Sequence, residues 1–151
     1  MLVTGCSLFD SSRDVDPCEL LSPSELSSFG DYGEPKRKSE GNRTKCTWYN
    51  STTEPLKTTV KPQLNIQVAH KVRFSAVLSR AEEDGRQGRT AAGRPFTERE
   101  LDNSCTVTMP VFKEPSTKQT GVVDVTVTMP DPEDNCPTAR RMADLIAPKL
   151  H

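Results

Sequence analysis

Five cysteines in 151 residues constrain this chain more than any other feature: Cys6, Cys18, Cys46, Cys105 and Cys136. No two of them form a Cys-x-x-Cys pair, and the two histidines, His70 and His151, stand far from any cysteine cluster. A zinc site needs closely spaced thiolate and imidazole ligands, so that use is not supported. No metal and no cofactor is expected. Cross-linking is the use that remains, and cross-links persist in exported proteins rather than in a reducing cytosol.

The first cysteine stands apart from the others. Val3-Thr4-Gly5-Cys6, with Leu2 ahead of it, resembles a bacterial lipobox. On that reading Cys6 opens the mature protein and its sulfur carries a diacylglycerol. Residues 1–6 are then the remnant of a signal peptide, 7–15 a short polar tether, and 16–151 a single disulfide-stapled domain. The expected location is the outer face of the cell membrane, reached by export and held by lipid. Assigning Cys6 to lipid leaves an even set of four. Four cysteines allow three connectivities, and spacing does not choose among them. The simplest is sequential, Cys18–Cys46 and Cys105–Cys136. Each pair closes a loop of about 30 residues, worth roughly 3–4 kcal/mol on the chain-entropy model.

Composition sharpens the need for staples. The apolar share is 33% and there are 12 prolines, so the core should be thin and the loops long. Net charge is −1, from 20 basic and 21 acidic residues. That balance gives no electrostatic case for nucleic acid, which needs a concentrated basic face. No apolar run reaches the roughly 18 residues of a spanning helix. The partners expected are the membrane, through Cys6, and an envelope protein or small ligand.

Local patterns predict an α+β fold. Asp16 before Pro17 reads as an N-cap with proline at the first helical position. Ser22, Pro23 and Glu25 repeat the signal with capping-box spacing. A polar loop follows over 30–44, with Lys36-Arg37-Lys38 in its middle; a solvated loop is the simpler reading of that triplet than a headgroup contact. Strands are expected at 46–49, at 64–68, at the short edge segment 96–100, and at 104–111 and 121–129, the last two as a hairpin. A helix should run from about Lys71 to Asp84 and end at Gly85, with His70 at its joint as a surface or cap residue. The Gly- and Arg-rich stretch 85–94 reads as a mobile loop. Cys136-Pro137 opens a last helix, with Ala139, Met142, Ala143, Ile146 and Leu150 as its buried stripe. The sum is an antiparallel sheet of four to five strands, with N-terminal, middle and C-terminal helices packed on it and two disulfides.

Several of these features fall in a specific order: Asp16-Pro17-Cys18 with Leu20-Leu21, then Cys46-Thr47-Trp48, Gly93-Arg94-Pro95, Ser104-Cys105-Thr106-Val107, and Cys136-Pro137-Thr138-Ala139-Arg140-Arg141. In that order they resemble the actinobacterial lipoproteins grouped as the domain of unknown function 3558 family, over most of residues 16–150. The resemblance implies an exported lipoprotein whose paired cysteines join the first helix to the first strand and a late strand to the last helix. It brings no active site.

The chain carries no nucleophile elbow, phosphate-binding glycine loop or His-Glu-x-x-His motif. Glu82/Glu83 and Glu133/Asp134 lie in polar stretches, where burial does not raise a carboxylate pKa. An enzyme is not expected. The function expected is a non-catalytic cell-envelope lipoprotein that binds a protein partner or small ligand, and such a binding module would show as an exposed apolar patch with a polar rim. A lipid or glycolipid carrier is the first alternative, with an apolar cavity lined by Leu64, Ile66, Val125 and Val127. A cell-wall hydrolase is the second.

Overall fold

The computed structural model describes residues 12–51, 60–113 and 119–151, except for the side chains of 82–84. Seven strands form one antiparallel sheet: β1 (Lys36–Glu40), β2 (Arg43–Tyr49), β3 (Gln63–Ala69), β4 (Arg86–Arg89), β5 (Pro95–Glu100), β6 (Cys105–Pro110) and β7 (Val122–Thr128). Their spatial order is β1-β2-β3-β7-β6-β5-β4. Two meanders, β1 to β3 and β4 to β7, therefore join where β3 pairs with β7, with Leu64 opposite Val127 and Ile66 opposite Val125. Three helices accompany the sheet: α1 (Pro23–Ser27), α2 (Phe74–Asp84) and α3 (Asn135–Ile146).

The strand count exceeds the four to five expected, and the two extra strands are the two edges. β1 is exposed along its whole length, and β4 nearly so. An edge strand with no buried face shows no alternation, so period-2 reading passes over it. Lys36, Arg37 and Lys38 lie in β1 rather than in a loop. Arg37 pairs with Asp16, Lys38 lies 2.9 Å from Glu40, and Lys36 sits 5.2 Å over the Tyr49 ring. Charge along an exposed edge discourages pairing with another chain. Gly41, at φ +56°, opens the two-residue β1–β2 turn, as a primed hairpin turn requires. β4 replaces the loop expected over 85–94, and 96–100 lies one strand in from the edge.

Alternation along the inner strands separates two chemistries. Cys46, Trp48, Leu64, Ile66, Val68, Val107, Met109, Val123, Val125 and Val127 point to one face and are buried. α3 lies on that face against β6 and β7, placing Ala139, Met142, Ala143 and Ile146 in the same core. The expected stripe is formed as far as Ile146; Pro148 tightens the chain after it into a 3-10 turn at Ala147–Lys149, which leaves Leu150 beyond the helix and partly buried. The capping box at Ser22 and Glu25 closes as predicted. Lys149 reaches across to the carbonyl of Leu20 and to the Glu25 carboxylate, which that contact holds below the usual range.

Two disulfides fasten these layers. Cys18, in a 3-10 turn at Pro17–Glu19, bonds Cys46 of β2. Cys105, at the start of β6, bonds Cys136 in the first turn of α3. The domain begins earlier than residue 16. Ser12 and Val15 are buried, and the Ser12 hydroxyl lies 3.1 Å from Nδ1 of His70. Residues 12–15 therefore belong to the fold rather than to a tether, because a buried valine and a buried hydrogen bond anchor them. His70 is correspondingly a buried residue. Burial first, then the nearby Arg13 charge, push its pKa below 6.5. Cys6 and most of the expected tether lie outside the described residues.

Candidate functional site

The face opposite α3 is polar by sequence. In its phase the strands carry Thr47, Asn65, Gln67, Thr97, Thr106, Thr108, Asp124 and Thr126. The connection from central β3 to edge β4 must cross this face, and α2 makes that crossing, packing on β5, β6 and β4. Phe74 and Ala81 bury against the sheet, with Ala69 and Val122 closing a small second core beneath. The remainder of the face stays uncovered. Beside α2 lies an open groove of about 670 Å³, within the usual size of a ligand pocket.

Cross-strand register arranges the floor in rows. One row runs Lys45, Gln67, Asp124, Thr108 and Thr97. The next runs Thr47, Asn65, Thr126, Thr106 and Arg99. Short hydrogen bonds hold these side chains upright. Thr108 donates to Asp124 Oδ1 at 2.6 Å and Thr47 to Asn65 Oδ1 at 2.6 Å, while the hydroxyls of Thr106 and Thr126 meet at 2.9 Å. Among the described residues the second Asp124 oxygen receives a long 3.4 Å contact from Gln67, which leaves it acceptor capacity. Arg43, Lys45, Arg80 and Arg99 stand around the groove. None of the four makes an ion pair with a described residue.

Asp124 is the one carboxylate on the described floor. Burial raises its pKa above the ordinary 3.8, against the lowering pull of Thr108, Gln67 and Arg43. The folded state therefore holds more protons than the unfolded state between 3.8 and the raised value. Stability from this group falls as pH rises through that window. We expect the stability of Asp124→Asn relative to wild type to increase across the same window and then level off. Urea unfolding of both proteins from pH 3 to pH 7 measures it; a constant difference would show that Asp124 is not shifted.

Other groups singled out by sequence fall elsewhere. Leu64, Ile66, Val125 and Val127 are fully buried in the core on the α3 side of the sheet and do not line the groove. Glu133 and Asp134 are exposed in a turn, and the side chains of Glu82 and Glu83 lie outside the described residues. The Glu98 carboxylate points to the α3 side, 3.1 Å from Arg140 Nε. It lies close to the sulfurs of Cys105 and Cys136, but those sulfurs are bonded to each other and are not available to a metal. Among the described residues Tyr49 and Leu101 are the exposed large apolar side chains. Two such residues among the described ones do not supply the apolar patch expected of the binding module.

Sequence reading missed the groove, although a signal was present. The outward phase of an inner strand facing water usually carries long charged residues. Here it carries short hydroxyls and amides, with one aspartate in a valine-rich strand, which is the composition of a partly enclosed polar surface. Compared with known proteins, the chain matches, over residues 2–149, the model of a family described as Protein of unknown function (DUF3558). No curated protein and no solved structure matches it. The sheet, its two disulfides and the polar groove are thus those of a member of the DUF3558 family, to which the chain belongs.

Proposed function

We propose that this chain is the exported domain of an actinobacterial envelope lipoprotein, anchored by lipid on Cys6, and that it binds a small polar ligand without transforming it. The observation that carries the reading is the groove, a pocket-sized concavity whose floor is lined by hydrogen-bonding side chains and whose edge carries cations without ion-pair partners among the described residues. Paired cysteines favour an oxidising compartment outside the cytoplasm. The shortage of exposed apolar surface favours a small polar ligand over a protein partner. One floor carboxylate among the described residues, bonded to Thr108 and Gln67, favours binding over hydrolysis, which commonly divides acid and base roles between two carboxyl groups.

The test is to purify the protein from its native host under non-denaturing conditions and analyse it by mass spectrometry. The expected result is a diacylglycerol mass on Cys6 and a bound small molecule that is absent from an Asp124→Ala/Thr126→Val variant. An unmodified Cys6 thiol would remove the anchor. An identical set of bound molecules in wild type and variant would remove the groove.

A further inference from the structure

The groove has a chemistry that narrows its ligand, and this inference rests on the binding role proposed above. Overall the chain is nearly neutral, yet Arg43, Lys45, Arg80 and Arg99 gather around one concavity without ion-pair partners among the described residues. Unpaired cations beside a recess attract an anion. Their spread excludes a compact one. Lys45 on β2 and Arg99 on β5 stand four strand spacings apart, roughly 19 Å between backbones. A single phosphate cannot touch both flanks; an elongated molecule lying across the strands can.

Between the flanks the floor offers hydroxyls, amides and one carboxylate. Asn65, Gln67, Thr106, Thr126 and Asp124 present both donors and acceptors in adjacent rows. Such a floor suits a ligand whose own groups both donate and accept along its length. Two other polyanions fit less well. A nucleotide binds single-stranded sites largely by stacking its base, and none of the described lining residues is aromatic. An extended peptide binds a sheet by pairing with a free edge, whereas the floor strands β3, β7 and β6 are paired on both sides.

We infer that the groove is built for an acidic saccharide, lying across the strands with its anionic groups on the flanking cations and its hydroxyls on the threonine, amide and aspartate floor. At the α2 end of the groove the half-buried Val72 and Val77 give the less polar face of a sugar ring a surface to rest on.

Isothermal titration of the full chain with three probes tests this. The probes are trigalacturonate, the neutral maltotriose, and tripolyphosphate, which has charge without sugar hydroxyls. Trigalacturonate should bind, and the other two should bind at least about ten-fold more weakly, since each loses a set of charged or hydroxyl contacts. Arg43→Ala/Arg99→Ala should weaken trigalacturonate by about ten-fold or more and reduce its salt dependence. Both arginines are exposed, and circular dichroism verifies that the variant folds. Arg141→Ala, on α3 at the opposite face of the sheet, should leave binding unchanged. Maltotriose or tripolyphosphate binding as tightly as trigalacturonate overturns the acidic-saccharide assignment. If that binding is lost in Asp124→Ala/Thr126→Val, the groove still stands as a binding site. An unchanged affinity in Arg43→Ala/Arg99→Ala, or no binding by any probe, overturns the assignment too, and the native-host experiment then decides the broader reading independently.

Discussion

The Cys105→Ala/Cys136→Ala variant is expected to lose about 3–4 kcal/mol of folding stability on the chain-entropy model. The bond spans 31 residues, and breaking it releases that loop into the unfolded ensemble. In the folded state the same bond fixes the first turn of α3 to β6, on the part of the apolar face that the helix covers. A domain of this size has about 5–15 kcal/mol in all, so one bond accounts for a large part. Removing Cys18–Cys46 as well, another span of 28 residues, should leave little or no cooperative unfolding transition at 25 °C. Urea unfolding of the single-bond and double-bond variants measures both effects. A loss below about 1 kcal/mol for the first variant would mean that the helix stays in place through packing alone.

Arg94→Met is expected to cost nearly as much, about 3 kcal/mol, for a different reason. The Arg94 side chain is buried and its guanidinium donates to four backbone carbonyls. Nη1 reaches Pro110 O at 2.9 Å and Val111 O at 3.0 Å; Nη2 reaches Ala147 O at 3.3 Å and His151 O at 3.0 Å. One side chain thereby ties the end of β6 to the chain beyond α3. Methionine fills part of the volume but leaves buried acceptors unmet, at about 1–3 kcal/mol for each group that water does not reach. Relief of a desolvated cation offsets some of this, since burial already pulls the Arg94 pKa down. Lysine should not restore the loss, because a single ammonium cannot reproduce the planar fork. Alongside the drop in denaturant midpoint, proteolysis should begin within residues 147–151. A variant as stable as wild type would show that the four carbonyls find other donors.

The parts of the fold that were legible in sequence are those with a buried face. Ile66, Val107, Val125 and the stripe of α3 repeat with the period of their element because one side meets the core and the other does not. The capping signals at Asp16 and Ser22 were legible because they are local. β1 and β4 were not, since an exposed edge strand takes its conformation from backbone pairing with a neighbour, which no side-chain pattern records. Arg94 was hidden in a Gly-Arg-Pro stretch because an arginine is ordinarily exposed, and only its carbonyl acceptors, 16 to 57 residues away in sequence, reveal otherwise. The groove was half legible. Its residues sit in strands that were predicted, but their gathering depends on α2 crossing from β3 to the far edge, and that crossing depends on β7 pairing with β3.

On the proposed function the sheet's two faces divide the labour: disulfides and α3 hold one, and the ligand is assigned to the other. Amide chemical-shift mapping with the low-molecular-weight fraction of the native envelope addresses that division directly. Shifts should concentrate at Gln67, Thr106, Thr108, Asp124 and Thr126, with little change in β1. Shifts confined to β1, to α3 or to the N-terminal helices, with those five amides unmoved, would contradict it.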